Sequence, residues 1–182
     1  MTRNTAKTQL DWVDAGLGVL ALHGANAVKI DALASLLGVT KGSFYWHFAD
    51  RSALLVAMLE RWEAVATDAI MATIDADGGT PAQRLERLID IGTNHSAAAL
   101  ESGLRAWART DDEVAQALLR VDARREGYVR DLLSAHGLPD ALALTGAHML
   151  YLALIGEYAC VAHGAVPTPA VLWRTMLTLL QG

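Results

Sequence analysis

Cysteine is almost absent from this chain: Cys160 is the only one, which excludes an internal disulfide and suits a reducing compartment. A lone thiol more often packs as a small hydrophobe than acts as a sensor. Long hydrophobic runs are missing too. The longest, Ala147 to Gly156, is interrupted by His148 and falls far short of the ~20 apolar residues that span a bilayer. Met1 to Trp12 holds no apolar segment of the secretory kind, so a soluble, cytoplasmic protein with no membrane partner is expected. No segment alternates apolar and polar residues between hairpin turns, which argues against strands. There is no glycine-rich phosphate loop, no nucleophile motif, no paired-histidine motif and no cysteine cluster. Glu157, Cys160 and His163 follow one another at three-residue steps, but Glu157 and His163 then stand about 120° apart around a helix axis, poor geometry for one ion. Catalytic residues, cofactors and metals are therefore not expected.

What is present is apolar and unevenly charged. Apolar residues make up 53% of the 182 and charged residues 19%, enough to bury a core and too little polarity for a disordered tail. The net charge is −5, yet it divides unequally: residues 1–51 carry five Lys/Arg against four Asp/Glu, and residues 52–182 carry ten against sixteen. All three lysines, Lys7, Lys29 and Lys41, lie in the first part. Cationic side chains supply the sequence-independent part of DNA affinity, so this polarity would turn the N-terminal part towards DNA.

Helical periodicity dominates. Leu10, Val13, Leu17, Leu20 and Ala21 share one stripe that stops at His23-Gly24, and Ile30, Leu33, Ala34 and Leu37 share a second that stops at Gly38. Thr40 is placed to cap a third helix, Lys41 to His47, and Asp50 a long fourth carrying Leu54, Met58, Trp62, Val65 and Ile70. Thr80-Pro81-Ala82-Gln83 combines a capping box with an early proline and opens a fifth. A weak stretch from Gly92 to Asn94 precedes a sixth through Leu100, Leu104 and Trp107. Thr110-Asp111-Asp112-Glu113 reads as a capping box for a seventh helix that ends at His136-Gly137. Pro139 starts an apolar eighth that runs to His163-Gly164, and Thr168-Pro169 starts a ninth. The expected fold is all-α with about nine helices: a three-helix N-terminal domain, 1–50, joined through the long fourth helix to a helical domain, 51–182.

Helix eight is apolar around most of its circumference and must be covered on all sides. Its own domain can cover one side and a second subunit the other, so a homodimer is expected, with Leu150, Leu154, Val161, Leu172, Met176 and Leu180 at the interface.

The segment IDALASLLGVTKGSFYWHF places a short helix, a glycine turn and a capped second helix at helix-turn-helix spacing. Thr40, Lys41, Ser43, Tyr45 and His47 offer hydroxyls, an ammonium and an imidazole suited to phosphates and base edges, and Gly42 allows close approach to DNA. Around it, Ala34, Gly38-Val39-Thr40, Gly42, Tyr45, His47-Phe48, Arg51 and Leu54 resemble the tetracycline-repressor (TetR) family pattern of DNA-binding transcriptional regulators. The resemblance implies that Thr40, Tyr45, His47 and Arg51 meet phosphates, that Lys41, Gly42, Ser43 and Trp46 approach bases, and that Phe44 and Phe48 pack. It departs from the family at Lys29, where a capping Thr or Ser is usual, and at Asp31, where Arg is frequent. An acid at 31 would repel phosphate, and Lys29 is the candidate to restore the lost contact.

The same resemblance implies a dimeric regulator, expected to be a repressor on a palindromic operator, with a small-molecule effector held among helices four to eight. Trp62, Ile91, His95, Leu104, Trp107, Tyr128, Met149 and Leu152 are the expected walls. Two alternatives remain open from the residues alone: a small helical enzyme using His95, His148 or Glu157, and a dimeric helical adaptor that does not touch DNA.

Overall fold

A computed structural model describes residues 7–93, 97–165, 168 and 170–181, leaving aside the side chains at 170 and 179–181. Among these residues there is no strand, and nine helices follow in order: α1 (Gln9–His23), α2 (Ile30–Leu37), α3 (Lys41–Tyr45), α4, α5 (Pro81–Gly92), α6 (Ala98–Ala108), α7 (Asp112–His136), α8 (Asp140–Ala162) and α9 (Ala170–Gln181). A 3-10 turn, Ala25–Ala27, links α1 to α2. Helix α4 is continuous through α-helical Arg51–Glu63, π-helical Ala64–Asp68 and α-helical Ala69–Ala76.

Most helix ends fall where the sequence places them, for local reasons. Gly38 closes α2 at φ 69°, in the left-handed region that other residues avoid, and its N–H returns to the Ala34 and Ser35 carbonyls. Asp50 accepts from the Ala53 N–H at 2.9 Å, and Thr80 with Gln83 forms the expected reciprocal box at the start of α5. Three details differ. Thr8 and Asp11 form a capping box on α1 that the apolar stripe concealed. Helix α3 ends at Tyr45, and His47 N–H bonds back to the Phe44 carbonyl in a turn. Before α7, Asp111 is the cap, accepting from the Glu113 and Val114 N–H groups, while the Thr110 hydroxyl donates backwards to the Trp107 carbonyl. The expected box at Thr110 gives way to a single Asp111 cap, and with Asp111 in that place the third helical position falls on Val114, whose side chain cannot complete a box.

Two hydrophobic clusters hold the chain together. In the first, Trp12, Leu20, Val28, Leu33, Phe44, Phe48, Leu54, Met58 and Trp62 continue into Leu104, Trp107, Val114, Leu118 and Val121, so α6 and α7 share the core of α1–α4. Phe44 is its N-terminal centre, edge-on to Trp12 at 5.2 Å and stacked with Phe48 at 5.3 Å. Emptying a site of this kind costs about 3–5 kcal/mol. The second cluster joins Leu85, Leu132, Leu133, Ala143, Ala147, Leu150, Trp173 and Leu177 of α5, α7, α8 and α9.

By length and composition alone α8 would pass as a membrane span, with a mean hydropathy of 1.3 over its most apolar window. Here it packs on α6 and α7, burying Ala143, Ala147, Leu150, Tyr151 and Tyr158 on one face.

Helix α6 packs along α1 and comes closest to its backbone at Gly103. A Cβ on Gly103 would stand 2.9 Å from the Leu20 carbonyl oxygen, a backbone atom that cannot move aside. Replacing a helical glycine by alanine ordinarily gains about 0.8–1.0 kcal/mol. At this position overpacking of roughly 1–3 kcal/mol outweighs that gain. Gly103→Ala should therefore lower the melting temperature in a thermal unfolding experiment, whereas an unchanged or higher value would mean that α1 and α6 are not locked at this point.

Candidate nucleic-acid interface and internal cavity

At the N-terminal end, α3 lies over the aromatic cluster with its other face open. Phe44 is buried beneath it, while Tyr45 is 58% and Trp46 88% exposed. Lys29, Thr40, Lys41 and Gly42 are also exposed around the same turn, and Ser43 is half-buried. An exposed tryptophan is costly to leave in water, so this tip is apolar surface available for contact. The Lys41 ammonium does not project freely: it lies 2.6 Å from the Asp31 carboxylate, and this hydrogen bond together with the opposite charge holds Lys41 above its ordinary pKa. The unusual acid of α2 thus bears directly on the cation at the start of α3.

His47 and Arg51, expected at phosphates, have other partners. His47 Nε2 lies 2.8 Å from the Lys7 carbonyl and ties down the segment before α1. Arg51 donates through Nε to the Val28 carbonyl at 2.6 Å and through a terminal nitrogen to the Ala25 carbonyl at 2.7 Å. Both are half-buried. Arg51 donates to the Val28 carbonyl and adds a second donor to the Ala25 carbonyl, which also accepts from the Val28 N–H, and so braces α4 against the α1–α2 connection.

Helices α4 to α8 bound a cavity of about 300 Å³, inside the range of small-molecule sites, that opens to solvent past the exposed Val65 and Ile91. Its apolar wall includes Val65, Ile70, Met71, Leu88, Ile91, Val129 and Leu154. Thr67, Glu101 and Arg125 are the other notable members, with Tyr128, Tyr151 and Tyr158 presenting rings. Glu101 is only 3% exposed, and its Oε1 accepts from Trp62 Nε1 at 3.0 Å and from Arg125 at 2.9 Å. Arg125 also donates to the Thr67 hydroxyl and the Ala66 carbonyl, at 3.0 and 3.1 Å, within the π-helical segment of α4. Its guanidinium lies over the Trp62 ring at 5.3 Å. Burial works against its charge, and the Glu101 carboxylate more than offsets this, raising the Arg125 pKa further.

A second ion pair backs the wall. Arg105 grips Asp122 through two nitrogens at 2.9 and 2.8 Å, and the Tyr151 hydroxyl donates to the same carboxylate at 2.6 Å. The other two cavity phenols donate to Asp75 and to the Gly92 carbonyl. Burial, then the neighbouring carboxylate in each case, pushes Tyr128 and Tyr158 up to about 12 and Tyr151 higher still, so all three remain neutral donors.

Of the expected cavity residues, Ile91 and Tyr128 line it. Trp62 stands behind the wall, bonded to Glu101, and Leu104 and Trp107 belong to the first core cluster. Met149 and Leu152 are 55% and 54% exposed on the opposite face of α8. His95 lies outside the described residues. The dimer expectation changes in the complementary way. Leu150 is buried in the second cluster and Leu154 lines the cavity, while Met149 and Leu152 take the outward stripe. Leu172 and Met176 of α9 are exposed as expected, at 52% and 36%, Val161 is half-buried, and the side chain of Leu180 lies outside the described residues. Because α8 is apolar all round, its composition sets no phase, and only packing decides which stripe turns inward.

Glu101, Arg125, Thr67, Tyr151 and Tyr158 escaped the sequence reading. A signal existed for Glu101, which falls on the buried stripe Ala98, Leu104 and Trp107, an acid at a core position of its helix. Glu157, weighed for catalysis or metal, instead accepts from the Thr168 N–H and hydroxyl, both at 2.6 Å, so Thr168 ties α8 to the start of α9. His163 bonds the Ala159 carbonyl and His148 pairs with Glu126. Among the described residues no group of three His, Cys, Asp or Glu is placed to hold a metal ion.

Residues 13–58 match the family of bacterial regulatory proteins of the tetR type. The transcriptional regulator SrpR of Pseudomonas putida is 36% identical over 63 residues, 32% of this chain and 30% of that protein. The aligned segment therefore spans about a third of either length. Solved structures extend the likeness of fold to nearly the whole chain. A putative transcriptional regulator from Saccharomonospora viridis, in complex with choline, superposes with a TM-score of 0.76 at 17% identity, covering 94% of this chain and 92% of that one. The regulator FadR of Bacillus subtilis, in complex with stearoyl-CoA, gives 0.71 at 17% identity, covering 96% and 98%.

The Asp122 pair makes a pH-dependent contribution. Burial raises its carboxyl pKa, but hydrogen bonds from Arg105 and Tyr151 and the arginine charge leave it below the ordinary 3.8. A carboxylate depressed in the folded state stabilises fully above its unfolded value, and that stability is lost as pH falls through the lower folded value. Acid unfolding of Asp122→Asn followed by circular dichroism should lack this part of the decline below pH 3.8; a decline identical to the wild type would remove the pair from the account.

Proposed function

We propose that this chain, whose residues 13–58 match the tetR family of bacterial regulatory proteins, is a dimeric DNA-binding repressor released from, or held on, a palindromic operator by a small molecule in the α4–α8 cavity. The carrying observation is the open face of α3, where Tyr45 and Trp46 stand exposed above the buried Phe44.

In this reading residues 1–50 form the DNA-binding domain and 51–182 the effector and dimerisation domain. Helix α3 enters the major groove, with Lys41, Gly42, Ser43 and Trp46 at base edges and Tyr45, Thr40 and Lys29 at phosphates. His47 and Arg51 act indirectly, fixing the entrance to α1 and the start of α4. Asp31 competes with DNA for Lys41, so that a phosphate or a guanine edge must displace a carboxylate to engage the lysine.

The dimer uses the outward stripe of α8, Leu142, Met149 and Leu152, with Leu172 and Met176 of α9; these side chains are exposed and apolar in the single chain. Such a surface is larger than isolated apolar residues on a monomer require. Cytoplasmic residence follows from the DNA partner. The complexes of two fold relatives with choline and stearoyl-CoA support an effector role for the cavity.

Coupling runs through Arg125, which joins Glu101 in the cavity wall to Ala66 and Thr67 of α4. That helix begins at Arg51, five residues after the exposed Trp46. A ligand that moves Arg125 therefore acts on the helix that carries α3.

Footprinting should protect a palindrome whose half-sites lie ~34–36 Å apart. On that site, Lys29→Ala should weaken binding and reduce the magnitude of the log-affinity against log-salt slope by about one, whereas Lys41→Ala should relax specificity at the base it reads. Asp31→Asn should instead strengthen binding, most at low salt. A protein with no salt-dependent DNA affinity would point to the adaptor alternative. Leu152→Glu should convert the dimer to monomer in sedimentation equilibrium; an unchanged mass would exclude the α8 face.

A further inference from the structure

Within the cavity, one oxygen of a buried carboxylate has no partner. Glu101 is 3% exposed, its Oε1 takes two donors, and its Oε2 accepts no hydrogen bond. The nearest cation, Arg105, stands 4.0 Å away and is already committed to Asp122 by two bonds. Buried polar atoms in native interiors are nearly always satisfied, and an exception in the wall of a cavity marks where an incoming group completes the set.

The rest of the wall decides what that group can be. The three phenols cannot supply the donor, because Tyr128, Tyr151 and Tyr158 spend their protons on Asp75, Asp122 and the Gly92 carbonyl. An acid in the ligand would set a negative charge beside Glu101, where the two nearby cations, Arg125 and Arg105, are already paired with Glu101 and Asp122. Arg125 already serves Thr67, Ala66 and Glu101. The space is about 300 Å³, at the lower end of small-molecule sites, and its remaining wall is apolar or aromatic.

We infer that the cavity takes a compact, mostly apolar molecule presenting one N–H or O–H donor to Glu101 Oε2, and that it discriminates against acids. This rests on the reading of the cavity as the effector site. A protonated amine would add charge attraction to the carboxylate and a cation–ring contact with the tyrosines, while a neutral alcohol would supply the hydrogen bond alone. Glu101 then shares its charge between the ligand and Arg125, so the same carboxylate that recognises the donor also governs the arginine that grips α4.

The test uses the full chain and three probes with one carbon skeleton: 4-phenylbutylamine, 4-phenylbutanol and 4-phenylbutyrate, followed by thermal shift and calorimetry. In the wild type the amine or the alcohol should bind at least tenfold tighter than the acid, and their order tells whether charge or the hydrogen bond dominates. In Glu101→Gln the amide oxygen keeps the two donors from Trp62 and Arg125, which turns the amide NH₂ towards the vacant acceptor position. The preference should then reverse, with the donor probes losing tenfold and the acid gaining. If the wild type prefers the acid, or the substitution leaves the order unchanged, the donor assignment is wrong and the effector site stands. If none of the three binds, the effector reading falls with it. Ile91→Trp, which narrows the cavity without touching Glu101, should abolish all three shifts. Shifts that survive it would place the binding elsewhere and overturn the assignment even if the Gln variant fails to fold.

Discussion

The contacts of one side chain, Arg125, tie the two halves of this molecule to its cavity. Its side chain is 14% exposed, and its guanidinium lies over Trp62 and reaches Glu101, Thr67 and Ala66 at once. Burying such a charge is unfavourable unless every donor finds an acceptor, and removing one member of a buried pair typically costs about 3–5 kcal/mol. Arginine suits the position because its planar fork serves several acceptors in fixed directions, which an ammonium on a flexible stem cannot do. The acceptors themselves are unusual. Two of them, the Ala66 carbonyl and the Thr67 hydroxyl, belong to a π-helical turn, a rare irregularity in an α-helix. The irregular turn and the buried pair thus depend on each other.

From that point the structure extends in two directions. Along α4 it reaches the aromatic centre of Trp12, Phe44 and Phe48, on which the exposed face of α3 is mounted, with Arg51 and His47 fixing the surrounding loops. Along α6 it reaches α1 through the close approach of Gly103 to Leu20. The N-terminal helices are therefore not hung on a single linker; they share a core with α6 and α7. In the proposed regulator a change at the cavity would reach the DNA face through packed elements with little freedom to absorb it. Small displacements in a close-packed interior are transmitted, not dissipated.

Much of this was legible in the sequence where the signal is local. The glycines after α1, α2 and α7, the Asp50 cap, the Thr80 box and the helix-turn-helix spacing depend on neighbours a few residues away, and the sequence contains those neighbours. What failed to show depends on phase or on distant partners. Periodicity identified α8 as a helix but could not tell that Leu150 and Leu154 turn inward and Met149 and Leu152 outward, since apolar residues surround its axis. Trp62, Leu104 and Trp107 were expected as cavity walls and pack in the core instead, because whether a large apolar residue at helical spacing does one or the other is set by the opposite helix. The roles of Arg51 and His47 were obscured for a different reason: a side chain suited to phosphate is equally suited to a backbone carbonyl, and only the fold places the carbonyls of Ala25, Val28 and Lys7 within reach.

Arg125 holds the π-helical turn of α4 and, through it, the position of α3. Amide hydrogen exchange of Arg125→Lys, compared with the wild type, tests this most directly, because lysine keeps the charge beside Glu101 and loses the fork. Faster exchange confined to residues 64–76 and 41–51, with α9 unchanged, is the expected result. Exchange in 64–68 equal to that of the wild type would contradict the account.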